Sequence, residues 1–311
     1  MAEKDWISRY FAPLANTSGA AGLRDDLATL ALANGPTVIT VDALVEGVHF
    51  LPSDPIETVA RKLVRVNVSD IYAAGAVPAE ALLTLGWPEG RPESDLAAFA
   101  RALGEELEAF GAHLIGGDTV RPADGVFLSL TLTGTCLADK PIRRMGAQAD
   151  EDLWVTGRIG AAGLGFEALQ RGEVDDLHID AYRVPRIQPP TAAHLIARHA
   201  SAALDVSDGL LGDAASLASA SGIGVRIALE AVPFAGNPTE TNEMLRLSTW
   251  GDDYQLLFTA EKSRHDDILA EAAESGVIVT HIGETQPKGG LVVTLRDSPV
   301  NLPETLGFEH G

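Results

Sequence analysis

Residues 204–213 read "LDVSDGLLGD", crowding Asp205, Asp208 and Asp213 together with no lysine or arginine in the stretch. Acids that follow short apolar runs recur along the chain. They include Asp25 and Asp26 in "LRDDL", Asp42 after "TVITV", Asp70 in "NVSD", Asp118 in "GGDT", and Asp252 and Asp253 in "GDDYQLLF". Any one of them alone reads as a helix cap or turn acid, because an Asp side chain readily accepts nearby backbone N–H groups. As a set they carry an electrostatic cost. Two carboxylates ~4 Å apart repel by roughly 4 kcal/mol at an effective dielectric of about 20, so a cluster stays ionised only if cations join it. Hard oxygen ligands with no His or Cys among them select Mg²⁺ over zinc or a soft metal. Such a site commonly holds polyphosphate, the metal bridging acidic protein to anionic substrate. The expectation is that these acids converge in one negative pocket that takes ATP together with divalent ions.

Phosphate also needs donors. Glycines in "GGDT" and "SDGL" let backbone N–H groups approach closely, and helix N-termini favour negative charge. The stretch "TGRIGAAGLG" lacks the Gly-Lys-Ser/Thr ending of a phosphate loop and the dinucleotide spacing, so it reads as glycine turning into a helix. No protein-kinase catalytic-loop signature is present. His49, in "EGVHF", lies seven residues past Asp42, a position that suits a substrate contact as well as a satisfied core histidine. Trp250 and Phe308 could stack on a heteroaromatic ring, with core packing as the default for both. Arg143 and Arg144 read either as solvated cations or as phosphate contacts.

The elements that position these residues are legible from periodicity. Residues 37–50 are rich in β-branched side chains and read as a strand that leaves through Asp42. Asp54, Pro55 and Glu57 form a capping-box start to a helix with Ile56, Val59, Leu63 and Val66 on one face, and Asp70 toward its end. A second helix opens at Pro92, spaces Leu96, Phe99, Leu103, Leu107 and Phe110 helically, and stops at Gly111. A strand "HLI" then runs into "GGDT". "GVFLSLTLTGTCL" alternates Val126, Leu128, Leu130 and Leu132 with Ser129, Thr131 and Thr133, the pattern of a half-buried strand. Composition changes across residues 138–150, which places a boundary between domains 1–140 and 141–311. The second begins with strand "DLWVTG". Its clearest unit is strand "AALDV", turn "SDG", helix "LLGDAASLASA" and strand "VRIAL", a crossover in a mixed or parallel sheet. The fold class is therefore α/β.

Composition limits the partners. Of 311 residues, 23 are Lys or Arg and 44 are Asp or Glu, and the formal net charge of -21 repels nucleic-acid and anionic-lipid phosphates. Nucleic acid and membrane are thus excluded as partners, although solubility alone explains most of the scattered acids. The single cysteine, Cys136, forms no internal disulfide, and no Cys/His set has zinc spacing. With no apolar signal-peptide core or bilayer-length run, the expected location is cytoplasmic.

The stretches "DDLATL", "TVDALVEGVHF", "NVSDIYAAGAVP", "GGDTVRP", "LDVSDGLLGD" and "GDDYQLLFT", in this order, resemble the thiamine-monophosphate kinases. That superfamily also holds aminoimidazole ribonucleotide synthetase, selenophosphate synthetase and a hydrogenase maturation protein. The resemblance implies an N-terminal α/β domain that pairs with its twin in a homodimer to form a strand barrel, and a C-terminal mixed-sheet α/β domain closing over ATP. It implies transfer of the ATP γ-phosphoryl group to thiamine monophosphate. Carried over by position, Asp26, Thr40, Asp42, Asp70, Asp118, Asp205 and Asp208 correspond to the magnesium set, with Asp42, Asp118 and Asp208 central to catalysis. Gly117, Asp118, Arg144 and Ser207 correspond to nucleotide contacts, and His49, Asp252 and Phe308 to the thiamine phosphate side. The chain departs from the family pattern at Arg24, at Val41, and at Asp252, where a Glu is usual. The competing readings are another ATP-dependent enzyme of the superfamily, such as aminoimidazole ribonucleotide synthetase, and a non-catalytic sensor of nucleotide or divalent cations. The sisters with a reactive thiol fit poorly, since Cys136 lies within a patterned strand.

Overall fold

A computed structural model describes residues 3–23, 27–30, 35–173 and 177–308. The chain divides into two compact units, Met1–Ile71 with Val77–Asp139, and Tyr72–Ala76 with Lys140–Gly311.

The first unit contains the short α1 (Glu3–Trp6), β1 (Thr37–Val45), α2 (Ile56–Ala73), β2 (Ala76–Gly86), α3 (Glu93–Ala109), β3 (His113–Val120) and β4 (Phe127–Cys136). Its sheet has the order β1-β4-β2-β3, with β1 antiparallel to β4 from Thr37↔Thr135 to Val45↔Phe127, and β2 parallel to β3. Leu128, Leu130 and Leu132 are buried at alternate positions of β4, as the two-residue period requires. Helix α2 lies against that strand. A Cβ at Gly134 would meet the Ile71 side chain at 2.7 Å, so the close approach admits only glycine. Ile56, Val59, Leu63 and Val66 are all buried on α2, and Leu96, Phe99, Leu103 and Leu107 on α3.

Two strand extents differ from the sequence reading. Strand β1 ends at Val45, because residues 46–50 fold into a turn closed by the Gly47 N–H donating to the Phe50 carbonyl. The strand read at "HLI" continues through "GGDT" to Val120, with Gly117 flush against β2. Asp54 Oδ2 accepts the Leu51 N–H at 2.8 Å and closes the loop before α2.

The second unit contains β5 (Glu151–Thr156), α4 (Ala161–Gln170), α5 (Ile179–Arg183), α6 (Thr191–His199), β6 (Ala202–Val206), α7 (Leu210–Ser221), β7 (Gly224–Ala228), α8 (Thr241–Ser248), β8 (Gln255–Glu261), α9 (His265–Ser275), β9 (Val279–Gln286), β10 (Leu291–Leu295) and β11 (Ser298–Pro299). They build one seven-stranded sheet, ordered β11-β10-β7-β9-β5-β8-β6. β5 lies within this sheet and is buried along its whole length. The strand–helix–strand unit β6–α7–β7 is present, but its strands are not neighbours: β6 is the outer edge, with β8, β5 and β9 between it and β7. The sheet is mixed, with β7 and β10 as a parallel pair among antiparallel ones. No helix among the described residues is long and apolar enough to cross a membrane.

Candidate functional site

On the α2 side of the first sheet, Thr40, Asp42 and Asp70 come together. Thr40 Oγ1 donates to Asp70 Oδ2 at 2.5 Å, and the Asp42 N–H donates to Asn67 Oδ1 at 3.2 Å. Burial, reinforced by the negative charge of Asp70, pushes the Asp42 carboxyl up to about 6. His49 sits in the turn after β1, where its Nδ1 accepts the Val45 N–H at 3.0 Å.

Asp118 and Gly117 lie on β3, at the opposite edge of the same sheet from β1. Three strand spacings of ~4.8 Å separate the edges by roughly 14 Å. Asp118 lines a pocket of about 1190 Å³ together with Gly117, Leu82, Thr84 and Thr131. A Cβ at Gly117 would lie 2.0 Å from the Leu83 carbonyl oxygen, so no side chain fits there and the backbone is left open to a ligand. Within this unit the sheet order places Asp118 and Asp42 on different edges.

The second unit gathers a different group around the β6–α7 turn. Asp208 is exposed at the turn, while Asp205 is buried on β6 opposite Leu256. Asp213, in the first turn of α7, is 5% exposed, and its Oδ2 accepts the N–H groups of Asp208 and Gly209 at 3.1 Å each. Burial, then repulsion from Asp208, raises Asp213 to about 7 against the opposing pull of those amides and the Arg144 guanidinium. Two distant segments reach the same turn. The Asp252 N–H donates to the Ser207 carbonyl and the Phe308 N–H to the Asp208 carbonyl, both at 2.8 Å. Asp252 and Tyr254 hold left-handed backbones at φ 60 and 49, a strained conformation of the kind found where a loop presents side chains to a ligand. The Tyr254 hydroxyl donates to Asp252 Oδ1 at 3.2 Å. Trp250 packs instead, with its ring centroid 5.4 Å from that of Phe166 and its indole against Gly163 of α4.

The glycine-rich turn before α4 carries its own anion. Asp253 Oδ2 accepts the Gly160 N–H at 2.7 Å, occupying the helix N-terminus that a phosphate would use. Burial pushes Asp253 up to about 7, although the Gly160 and Ala162 amides pull it down.

The sequence reading assigns Asp26, Thr40, Asp42, Asp70, Asp118, Asp205 and Asp208 to one magnesium set; of these, Thr40, Asp42 and Asp70 meet in the first unit. In the second unit Ser207 and Asp208 meet the backbones of Asp252 and Phe308, residues assigned to the nucleotide, metal and substrate sides. Asp26, with Arg24 and Asp25, lies outside the described residues. The side chains that hold the two groups in place, Asn67, Asp213 and Tyr254, had no assigned role. Asn67 had a signal: it is three positions before Asp70 on a helix, hence on the same face.

Among the described residues no three His, Cys, Asp or Glu side chains gather into a metal cage. The donors that do approach one another are hydroxyl and carboxylate oxygens, with Asp42 raised by burial and then by the charge of Asp70. That donor set suits Mg²⁺, which takes one or two carboxylates and completes its shell with water and substrate phosphate.

Comparison with known proteins points the same way. The N-terminal domain of AIR synthase related proteins matches residues 24–136, and their C-terminal domain matches residues 148–296. A thiamine-monophosphate kinase from Caulobacter vibrioides is 37% identical over 99% of this chain and 91% of its own. The crystal structure of thiamine-monophosphate kinase from Stenotrophomonas maltophilia K279a is 29% identical, covers 96% of this chain and 98% of that one, and superposes with a TM-score of 0.80. The structure of AaThiL complexed with AMPPCP and TMP is 27% identical, with coverages of 88% and 89% and a TM-score of 0.75.

Proposed function

The chain belongs to the thiamine-monophosphate kinase family, and from that membership we propose that it transfers the γ-phosphoryl group of ATP to thiamine monophosphate, giving thiamine diphosphate and ADP. The observation that carries this reading is the Thr40–Asp42–Asp70 group: two acids and a hydroxyl brought together, with one acid raised to about 6 by burial and by the other. Such a group is relieved by a hard cation arriving with a polyphosphate.

In the reaction, an oxygen of the acceptor phosphate attacks the γ-phosphorus in line, the bond to the β,γ-bridging oxygen breaks, and ADP leaves with that electron pair. The acceptor oxygen is anionic at neutral pH, so the protein supplies positioning more than a base. Several Mg²⁺ ions would be held, by Thr40, Asp42 and Asp70 at one edge of the first sheet, by Asp118 at its other edge and by Asp205 and Asp208 in the second unit, with Asp26 as a seventh residue, and would supply charge neutralisation to the phosphates. Gly117, Ser207 and Arg144 take the nucleotide, the first by open backbone and the last by charge. His49, Asp252 and Phe308 take thiamine monophosphate. Phe308 is 51% exposed and offers a flat face for a heteroaromatic ring.

A homodimer belongs to the same reading. Ile39 and Val41 stand 67% and 60% exposed at alternate positions of the edge strand β1, an apolar stripe that a second copy would cover. A cytoplasmic location, where ATP is supplied, follows from the activity. The test is to incubate the purified protein with ATP, Mg²⁺ and thiamine monophosphate and to measure ADP and thiamine diphosphate. Production of both, abolished by chelation, supports the reading. Nucleotide binding with no ADP formed would identify a sensor instead.

A further inference from the structure

Helix α2 sends polar side chains from three positions against the strand and turn that carry the first group of site residues. Besides Asp70, which accepts the Thr40 hydroxyl, Asn67 accepts the Asp42 N–H and donates its Nδ2 to the Leu63 carbonyl at 2.9 Å. Lys62 Nζ donates to the His49 carbonyl at 3.0 Å. Both are interior groups: Asn67 is 0% exposed and Lys62 1%.

Burying an ammonium is expensive, and a helix that needed only to pack would carry a leucine or methionine there. What Lys62 does instead is anchor one end of His49. Its carbonyl is held by the ammonium while its Nδ1 accepts the Val45 N–H, so the neutral ring carries its proton on Nε2 and has a defined direction. Asn67 performs a parallel task one element away. As an edge strand, β1 has a sheet neighbour on one side only, so amides not taken by β4 need acceptors elsewhere. Asn67 provides one at Asp42, beside the carboxylate that would hold the metal.

We propose that Lys62 and Asn67 are positioning residues of the kinase reaction that act on different ligands: Lys62, through His49, on thiamine monophosphate, and Asn67, through Asp42, on the metal-bound nucleotide. The inference rests on the roles given to His49 and Asp42 above.

The test compares Lys62→Met and Asn67→Ala with the unsubstituted chain. Each substrate is varied in turn, and the affinities for thiamine monophosphate and for Mg²⁺ with AMPPCP are measured by calorimetry. Lys62→Met is expected to raise KM and weaken binding of thiamine monophosphate by about tenfold while leaving the nucleotide within about twofold. Asn67→Ala is expected to do the reverse. Lys62→Arg, which keeps a charged donor, recovers part of the loss. If Lys62→Met does not fold, Lys62→Gln, which keeps a neutral donor, carries the same comparison, with melting curves confirming a native fold. Equal weakening of both ligands by both variants, or no weakening by either, overturns the proposal. An unsubstituted chain that forms no thiamine diphosphate overturns the functional reading instead, which keeps the two failures distinct.

Discussion

The carboxylate of Asp253 receives the N–H of Gly160 at 2.7 Å across 93 positions of sequence. An acid from the "GDDYQLLF" stretch thereby caps the helix that begins in the glycine-rich "TGRIGAAGLG" stretch, two segments with no local relation. Replacing Asp253 with Ala leaves the amides of Gly160 and Ala162 without their acceptor in a buried site and is expected to cost about 1–3 kcal/mol, seen as a lower midpoint in chemical denaturation.

The same residue sets a pH dependence. Asp253 and Asp213 both have folded-state values raised to about 7 from the ordinary carboxylate range, so the folded chain binds more protons than the unfolded chain at weakly acidic pH. Their contribution to stability is complete at about pH 4 and is lost as pH rises through about 7. The metal-free protein should therefore melt several degrees lower at pH 7.5 than at pH 5.5, and Asp253→Asn should flatten that slope. A slope of the opposite sign in scanning calorimetry would show that other groups dominate.

Asp208 and Asp213 separate chemistry from scaffold. Asp208 is exposed, so Asp208→Asn should reduce ADP formation by about a hundredfold or more while leaving the melting temperature nearly unchanged. Asp213 is buried and holds two amides of the same turn, so Asp213→Ala should lower activity and also destabilise the fold by about 1–3 kcal/mol. Parallel assays of turnover and thermal melting distinguish the two patterns.

Much of the secondary structure was legible because it follows from local periodicity. The alternation of Leu128, Leu130 and Leu132 specified β4, and the helical spacing of Val59, Leu63 and Val66 specified the buried face of α2. What local pattern could not convey was strand order. Asp42 and Asp118 each follow the same sequence logic, an acid beside an apolar run, yet they fall on opposite edges of one sheet. The β6–α7–β7 unit was visible, but the three strands lying between β6 and β7 come from elsewhere in the chain. Holders such as Asn67 were hidden for a related reason: their role is defined by which backbone amide lies opposite, and that depends on tertiary packing.

The exposed stripe on β1 gives a test of assembly. A charge at Val41 would be buried wherever a second copy covers that strand, so Val41→Asp should shift the protein from dimer to monomer in sedimentation experiments, with activity falling alongside. A chain already monomeric before substitution would refute the dimer.

Close backbone approach at β3 yields the last expectation. Gly117→Ala would force a methyl group to within 2.0 Å of the Leu83 carbonyl oxygen, and the strand must move away from β2 to admit it. The substitution is expected to destabilise the protein by about 2–3 kcal/mol and to weaken nucleotide binding in calorimetry.

The position of β6 at the rim of its sheet also bears on how the protein is made. Its single partner strand, β8, begins at Gln255, about fifty residues downstream, and at ordinary ribosomal speeds that gap lasts a few seconds. Until β8 emerges, β6 has no neighbour to pair with, and the turn bearing Asp208 waits half-made at its end. Biosynthesis thus completes this turn late, which makes the nascent chain's vulnerable interval a predictable one.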